Sequence, residues 1–340
     1  MCGDYPPNSN CATADTSFIM VNILQKRGFD VELLTNVSWS LKNFLALNKI
    51  VKSSNADAMF IPYATMGYKH SIVPQLLSFI YKKKIVVLIH EVSQVFILRK
   101  LSLIPFSFCN SVVFTNQFER AFFHKIYPWT PPRKTKVIPI GSNISSYNNL
   151  DFDNRCYTNI VYFGQIRPQK GIEQIIQLAR LIKENNLPFS VIIMGRKLET
   201  SKNYYEQLVS TAKNLEIDWK INIDEKEVSK VLGSNAIAYL PFPDGASERR
   251  GTLFAALIHK MIIFTNKGEQ TIKELDACTE YVSTPEELIE ILSSNTLFQD
   301  LRKLSEKHNI PTSAFLHKYD WEVIMDEYIC LFEKIAQCRR

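Results

Sequence analysis

Hydrophobic and polar positions follow two different periods along this 340-residue chain. Short runs that are apolar at successive positions are typical of strands buried on both faces, and apolar residues at every third or fourth position are typical of helices. In the first half the pattern predicts strands at residues 31–35, 58–62, 84–90, 111–115 and 136–140. Helices are predicted between them, at residues 13–27, from residue 41 and at 71–82. This alternation predicts a parallel sheet covered by helices.

A polar stretch without periodicity, YNNLDFDN at residues 147–154, interrupts the pattern and is interpreted as an interdomain linker. A second series follows, with strands at 159–164, 189–194, 236–240 and 261–265 and helices at 171–184 and 204–215. Two doubly wound α/β domains are therefore predicted, with the strand ends at Gly164, Gly195 and Pro241 facing a cleft between them. The chain ends in a predicted helix whose apolar residues have helical spacing: Trp321, Ile324, Tyr328 and Leu331.

The composition indicates a folded globular protein, because 46% of the residues are hydrophobic and 22% are charged. The formal net charge of +6 is mild for this length and no long basic run is present, so nucleic acid is not an expected partner. The seven cysteines are scattered and form no C-x-x-C pair, which indicates reduced thiols and no metal site.

The most apolar region, residues 92–114, is interrupted by Arg99 and Lys100 and does not provide a membrane span. The first ten residues also lack the apolar core of a signal peptide, so we expect a cytoplasmic protein. Residues 96–108, FILRKLSLIPFSF, leave two interpretations. We favour a buried helix; the alternative is a peripheral contact with the inner face of the membrane through aromatic and basic side chains.

Several common catalytic motifs are missing. The chain has only 11 glycines, and no G-x-G-x-x-G follows a predicted strand, which argues against a nicotinamide or flavin enzyme. A Walker loop, a G-x-S-x-G elbow and an H-E-x-x-H helix are also absent from the sequence. Nucleotide hydrolysis at a P-loop, serine hydrolase and zinc protease functions therefore have no support.

The stretch from residue 241 to 265 carries the strongest local signal. Its loop, DGASERRG at residues 244–251, places a carboxylate and two guanidinium groups directly before an apolar helical run. Backbone N–H groups and the helix dipole attract anions at a helix N-terminus, and arginines add charge-assisted contacts. The alternative is an ordinary solvated loop in which Ser247 caps the helix.

An ordered series of such stretches resembles the GT-B glycosyltransferases, specifically glycosyltransferase family 4, over nearly the full length. The stretches are Tyr5-Pro6-Pro7, LIHE at 88–91, IPIGSN at 138–143, FGQIRPQKG at 163–171, DGASERRG at 244–251 and the Trp321 helix. The resemblance implies two facing Rossmann-like domains: an acceptor-binding domain at residues 1–147 and a nucleotide-sugar-binding domain at residues 156–318. It also implies that a final helix, residues 319–340, crosses back to the first domain.

The resemblance also assigns roles to individual residues. His90 and Glu248 are implied as catalytic, with Glu248 on the donor sugar; for His90 a purely structural role stays open. Lys170 matches the diphosphate-binding lysine. Gln165 occupies a position where the family usually has an arginine, and Arg167 can supply the positive charge of that missing arginine. The residues assigned to donor binding are Gln165, Arg167, Lys170, Ser247, Arg249, Arg250, Gly251 and Thr252. The residues assigned to the acceptor-side loop are Asp4, Tyr5 and Asn8.

Two departures from the family pattern bear on function. Ala255 or Ala256 stands where the family has a second glutamate, which removes an expected contact to the ribose of the nucleotide. GT-B first domains open with a central β-strand before the first loop, whereas here that loop begins at Gly3. Two expectations follow: either the true start of the protein lies upstream, or the first domain lacks its first β-strand.

We therefore expect a retaining glycosyltransferase that moves a hexose-type sugar from a nucleotide-diphosphate donor to a glycan or lipid-linked acceptor. The expected setting is cell-surface polysaccharide or glycoconjugate synthesis. No cofactor or metal is expected, because cationic groups can stabilise the leaving diphosphate. The alternative is a non-catalytic GT-B binding or partner subunit of a glycosyltransferase. A sugar-nucleotide epimerase would need further carboxylates that the sequence does not place.

Overall fold

The computed structural model describes residues 3, 5, 12–93, 95–142, 144, 154–294 and 297–337. The chain forms two compact units. The first unit comprises Met1–Asn143 and Lys318–Arg340, and the second comprises Ile144–His317. Asp4, Asn8 and most of the predicted linker at residues 147–154 lie outside the described residues.

Helices and strands alternate along both units. The strands are β1 Met59–Tyr63, β2 Ile85–Ile89, β3 Ser111–Phe114, β4 Thr135–Val137, β5 Cys156–Phe163, β6 Ser190–Gly195, β7 Ile217–Ile221, β8 Asn235–Leu240, β9 Ile262–Thr265 and β10 Glu280–Tyr281. The α-helices are α1 Ala12–Lys26, α2 Phe44–Ser53, α3 Val73–Ile80, α4 Ile97–Ser102, α5 Gln117–Ile126, α6 Ile172–Glu184, α7 Lys202–Thr211, α8 Glu225–Ser234, α9 Gly251–Ile258, α10 Pro285–Leu292, α11 Leu297–His317 and α12 Trp321–Gln337. Short 3-10 turns lie at Leu41–Asn43, Lys82–Lys84, Ile104–Phe108, Pro132–Lys134, Glu199–Ser201 and Lys273–Ala277.

The sheet of the first unit has the order β1-β2-β3-β4, and its neighbouring strands are parallel. Val87 of β2 pairs with Ile61 of β1 and with Val112 of β3. All five residues of β2 are buried, as a strand covered on both faces requires. The predicted parallel α/β architecture is therefore confirmed for this unit.

The prediction of a strand at residues 31–35 is wrong. These residues have no regular secondary structure, and the described sheet begins at β1. An apolar run becomes a strand only when a neighbouring strand accepts and donates its backbone hydrogen bonds. In the part of the chain that the structure describes, no strand pairs with this run.

Two hydrophobic layers cover the first sheet, one on each face. Ile85, Val87 and Ile89 of β2 pack with one layer, whereas Val86 and Leu88 pack with the other, as the two-residue period of a strand dictates. The first layer includes residues of α2, α3 and α5. The second layer is formed by α1 together with the final helix α12.

The final helix therefore belongs to the core of the first unit. Met325 and Tyr328 are fully buried, and each such side chain contributes about 1.5–3 kcal/mol of burial free energy. The indole N–H of Trp321 donates to the carbonyl of Ser142, 2.8 Å away, just beyond β4. On the outer surface Arg27, the residue after α1, forms ion pairs with two carboxylates of α12.

The sheet of the second unit has the order β10-β9-β8-β5-β6-β7, again with parallel neighbours. From β5 the chain adds β6 and β7 on one side and then returns to add β8, β9 and β10 on the other. Such a reversal opens a crevice at the carboxyl ends of the two central strands, here β5 and β8.

Sequence patterning missed three elements of the second unit: β7, α8 and β10. Strand β7 is an edge strand with partly exposed residues, so it lacks the apolar run of a buried strand. Helix α8 is short and polar, and its first turn is capped by the side chain of Asp224, which accepts a hydrogen bond from the backbone N–H of Glu227. Among the described residues no helix is both long enough and apolar enough to cross a bilayer.

Candidate functional site

Three strand-end loops of the second unit meet where the strand order reverses. Gly171 has φ +77°, and a Cβ placed on it would lie 2.0 Å from the carbonyl oxygen of Pro241. A Cβ on Gly195 would lie 1.6 Å from the carbonyl oxygen of Gly164. Only glycine permits such close approaches of two backbones. These contacts bring the loops after β5, β6 and β8 together.

The loop after β5 carries Gln165, Arg167 and Lys170. The backbone N–H of Ile166 donates to the carbonyl of Arg196, 2.9 Å away, which ties this loop to the loop after β6. The Arg167 Nε donates to Oε1 of Gln165 at 3.1 Å, and both side chains are exposed. The carbonyl of Lys170 accepts a hydrogen bond of 3.0 Å from the hydroxyl of buried Tyr162.

Burial raises the pKa of that Tyr162 hydroxyl, so it stays a neutral donor. The Tyr162 hydroxyl therefore keeps its proton near neutral pH and continues to donate to this carbonyl. The backbone of Lys170 is thereby held in place directly before α6. Lys170 as a whole is partly exposed at this edge of the sheet.

The loop after β8 is supported by the loop after β9. The backbone N–H of Ala246 donates to the carbonyl of Asn266 at 2.9 Å, and the hydroxyl of Thr271 donates to the carbonyl of Ala246 at 2.6 Å. The amide of Asn266 also donates to the carbonyl of Phe242. Sequence analysis missed these supporting residues, although they follow the predicted strand end at Thr265 and could have been found by the same rule.

The two neighbouring arginines of the β8 loop point to different partners. Arg250 forms an ion pair with Asp244, and its guanidinium carbon lies 5.0 Å from the centre of the Phe242 ring. Arg249 instead donates from Nη1 to Oε1 of Gln270, 3.4 Å away. The sequence alone left open which arginine faces the β5 loop.

Arg250 lies close enough to Arg167 of the β5 loop for their charges to interact. Burial lowers the pKa of Arg250, and the positive charge of Arg167 lowers it further. Nε of Arg250 is buried and has no hydrogen-bond partner among the described residues. The two guanidinium groups therefore concentrate positive charge at the reversal of the sheet.

The other predicted residues of this loop flank the start of α9. Ser247 is buried, Glu248 and Thr252 are partly buried, and Gly251 is exposed. Ser247 does not cap the helix with its side chain; its carbonyl accepts from the backbone N–H of Arg250 at 3.1 Å. The proposed serine cap is therefore wrong.

The positions that lack the second glutamate are part of the core. Ala255 is 0% exposed and Ala256 is 1% exposed, on a helix whose residues 253–257 are all buried. A carboxylate at Ala256 would have to displace packed side chains or remain unpaired, and either is costly. The alanines thus suit the packing of α9.

His90 follows β2 in the first unit. Its backbone N–H donates to the carbonyl of Tyr63 at 3.4 Å, and its side chain is partly buried. The next turn is fixed by fully buried Glu119 of α5, which accepts from the backbone N–H groups of Val92 at 2.7 Å and Ser93 at 3.0 Å. Sequence analysis missed Glu119, which carries no motif of its own.

A cavity of about 740 Å³ lies in the first unit, beside the turns at residues 36–41 and 67–72. Tyr5 lines it, as does Trp39. The indole N–H of Trp39 is buried and has no partner among the described residues. This volume is in the range of small-ligand sites.

A metal centre has no ligand set in the described part of the chain, where no three His, Cys, Asp or Glu side chains cluster. The charged groups of the three loops are instead mainly cationic. The cationic side chains on the loops after β5, β6 and β8 are Arg167, Lys170, Arg196, Lys197, Arg249 and Arg250. Such a set attracts phosphate groups at the carboxyl edge of a parallel sheet.

Comparison with known proteins agrees with this architecture. No protein-family model matches the chain. A stretch of 214 residues is 25% identical to a probable sucrose-phosphate synthase of Thermosipho melanesiensis, covering 59% of this chain and 48% of that protein. The chain thus spans about half the length of this curated relative.

Two solved structures resemble the chain over most of its length. Anabaena HepE, in complex with UDP and glucose, superposes with a TM-score of 0.69 and 14% identity, covering 98% of this chain and 97% of HepE. A glycosyltransferase from Rickettsia africae gives a TM-score of 0.65 and 14% identity, covering 93% and 87% of the two chains. At these identities the likeness concerns the fold. The chain has the two-domain α/β fold with parallel sheets of the GT-B glycosyltransferases.

Proposed function

We propose that this protein is a glycosyltransferase that takes its sugar from a nucleotide-diphosphate donor. The observation that carries the proposal is the pair of guanidinium groups at the reversal of the second sheet, Arg167 and Arg250. The similarity to HepE, which holds UDP and glucose, supports the choice of ligand. The sequence relative, a probable sucrose-phosphate synthase, supports sugar transfer.

The charge of the loops suits the leaving group of this reaction. Transfer breaks the bond between the sugar C1 and the diphosphate oxygen, which leaves negative charge on the diphosphate while an acceptor hydroxyl bonds to C1. Arg167, Lys170 and Arg250 are proposed to stabilise that charge. Because the two arginines disfavour each other's charge, a bound diphosphate would also relieve their repulsion.

The remaining roles follow the family resemblance. We propose that Glu248 accepts hydrogen bonds from hydroxyls of the donor sugar and that His90 acts in the transfer step. Retention of configuration at C1 and a glycan or lipid-linked acceptor are part of the same proposal. Proton NMR of the anomeric signal in the first product formed tests retention.

Metal-independent transfer is proposed because the cationic side chains of the loops can stabilise the leaving diphosphate, as a divalent ion would. Donor hydrolysis measured with and without EDTA tests this point. A rate that EDTA abolishes and Mg²⁺ restores would contradict it.

A non-catalytic GT-B binding or partner subunit is the second candidate. This candidate is supported by Ala255 and Ala256, which are buried. One of them stands where the family has a glutamate that contacts the ribose of the nucleotide, so that contact is missing. The two candidates differ in one measurement. A transferase should slowly release free nucleotide from one donor in a panel of nucleotide sugars, whereas a binding subunit should release none.

Ligand choice is tested by thermal unfolding with nucleoside diphosphates and their sugars. A ligand that binds the folded state at about 100 times its Kd adds about 2.7 kcal/mol of stability, a readily measured rise in Tm. We expect one nucleoside diphosphate to stabilise the protein and Arg250→Gln to reduce that effect. Arg249→Gln, next to it in the chain, is the matched control. If no member of the panel stabilises the protein, the proposed donor site is wrong.

A further inference from the structure

Two turns of the first unit form most of the wall of the cavity of about 740 Å³. They comprise residues 36–41 and 67–72. The hydroxyl of Ser71, on the second turn, donates to the carbonyl of Trp39 on the first. The rings of Trp39 and Tyr68 are both buried and meet edge to face, with their centres 5.0 Å apart. The two turns are therefore joined by a hydrogen bond and by an aromatic contact.

A buried arginine holds the second turn. Arg99 of α4 is 6% exposed, and its Nη1 donates to the carbonyl of His70 at 3.0 Å. The apolar side chains around Arg99 lie in solvent instead: Phe96, Ile97, Leu98 and Leu101 are all exposed. The favoured prediction of a buried helix at residues 96–108 is therefore wrong for this part of it. What α4 contributes to the unit is a guanidinium group that fixes the turn at His70.

The polar side chains of the cavity are cationic or neutral. Lys69 carries a positive charge, and His70 beside it gains one on protonation. The other turn contributes the amide of Asn36 and the hydroxyls of Ser38 and Ser40. None of the described residues that line the cavity carries a carboxylate. A lysine without a lining counter-charge, next to amide and hydroxyl groups, suits an anionic ligand that also has hydroxyls.

Three of these residues have a backbone conformation that side chains rarely adopt. Asn36, Lys69 and His70 have φ of +56°, +49° and +60°. Asparagine and histidine tolerate this left-handed conformation better than lysine does, and such residues normally occur singly. The backbone N–H of Lys69 donates to the carbonyl of Met66 at 2.8 Å, and that of His70 to the carbonyl of Thr65 at 3.1 Å. Strained residues that are held in this way concentrate at ligand sites.

We propose that this cavity binds a small sugar that carries a phosphate group. Lys69 and His70 contact the phosphate, and Asn36, Ser38 and Ser40 contact the hydroxyls of the sugar. A phosphate offers three acceptor oxygens to the two neighbouring nitrogen-bearing side chains, whereas a neutral sugar would leave the lysine without a counter-charge. A cavity of this volume encloses a small molecule.

The ligand has a consequence for the acceptor, and this step rests on the proposed function. The described residues that line the cavity all belong to the first unit, to which the family resemblance assigns the acceptor. Tyr5, assigned to the acceptor-side loop, is one of them. The acceptor class that follows is a phosphorylated sugar, whose free hydroxyl receives the transferred sugar.

Calorimetry with the full chain and no donor tests the binding. The probes are glucose 1-phosphate, glucose 6-phosphate and mannose 6-phosphate, together with glucose, mannose and inorganic phosphate. We expect one hexose phosphate to bind about tenfold or more tightly than its parent hexose and than phosphate alone, because both groups are recognised. Hydrogen exchange should slow in residues 36–41 and 67–72 when that ligand is added. The proposal is wrong if no hexose phosphate binds, or if the parent hexose binds equally well.

Charge variants locate the phosphate. Lys69→Gln should weaken binding of the hexose phosphate about tenfold or more. Lys42→Gln is the matched control, because Lys42 is exposed and follows Leu41 of the cavity but does not line it. His70→Asn should weaken binding about 3-fold to 10-fold while keeping a residue type that accepts the positive φ. Equal losses in Lys69→Gln and Lys42→Gln would overturn the assignment.

The loops of the second unit also attract phosphate, so the two sites need separate readouts. Arg250→Gln should leave the affinity for the hexose phosphate unchanged. If Arg250→Gln weakens it and Lys69→Gln does not, the ligand binds the second unit and the cavity proposal is wrong.

The outcomes also separate this proposal from the proposed function. If the chain binds a hexose phosphate but releases nucleotide from no donor, the cavity proposal stands and the proposed function falls. If it hydrolyses a donor but binds no hexose phosphate, the cavity proposal falls and the transferase stands. With donor present, mass spectrometry should detect the hexose phosphate enlarged by one sugar; a bound ligand that is never enlarged would refute its role as acceptor.

Discussion

Replacing Arg250 by glutamine is the sharpest test of the donor site. The change removes one guanidinium group and leaves a shorter, uncharged polar side chain. Arg250 pairs with Asp244, whose side chain is 54% exposed, so the lost ion pair costs at most about 1 kcal/mol of stability. The lost stacking on Phe242 costs about 0.5–1 kcal/mol. Removal of the repulsion from Arg167 offsets part of both.

Arg250→Gln should reduce the free energy of nucleotide binding more than it reduces the free energy of unfolding. A charge-assisted contact to phosphate contributes about 1.5–3 kcal/mol, so Kd for the nucleoside diphosphate should rise about 10-fold to 150-fold. Isothermal calorimetry with the nucleotide chosen by the thermal panel measures this change. Tm without ligand should shift by only a few degrees.

Arg249→Gln is the control for this measurement. It removes the same charge one residue earlier in the chain, but from a side chain directed to Gln270. Equal losses of affinity in the two variants would mean that only net charge matters. Unchanged affinity in Arg250→Gln would refute the assignment of this guanidinium to the diphosphate.

Three further predictions concern the other groups. Lys170→Ala should weaken binding of the free nucleotide by about 1.5–3 kcal/mol in calorimetry. Glu248→Gln should leave binding of the free nucleotide unchanged and lower donor turnover. The reverse pattern would contradict both roles. His90→Ala should lower the transfer rate about 100-fold with little change in Tm, and a fully active variant would restore a structural role. Glu280 accepts from His308 Nε2 at 3.0 Å, and this hydrogen bond, with the nearby Lys307, holds the pKa of the carboxyl at about 2 against an ordinary 4.5. Because that pKa is depressed, the ionised carboxylate adds about 2 kcal/mol above pH 4.5, and this stability is lost as pH falls toward 2. Urea unfolding of wild type and Glu280→Gln should show that their difference in free energy of unfolding is smaller at pH 3 than at pH 6. An equal difference at the two pH values would contradict the assigned pKa shift of Glu280.

Local pattern predicted much of the second unit and of its strand-end loops. Strand β6 and helix α6 lie close to their predicted positions, because an apolar run and a helical period reflect burial on fixed faces. The loops after β5 and β8 were found because strand ends of a parallel sheet gather polar side chains on one edge. Their approach at Gly171 and Pro241 depends on the order of strands, which no local pattern contains.

What the sequence by itself determined is the alternation of strands and helices, the parallel character of the sheets and the residue types at the strand ends. Tertiary structure decided the partners of the two adjacent arginines, because Arg250 faces Phe242 of its own loop whereas Arg249 faces Gln270 of the loop after β9. It also decided that residues 31–35 form no strand and that α4 is exposed. In each case the physical reason is the same: pairing and burial belong to two partners, and a sequence pattern describes only one of them.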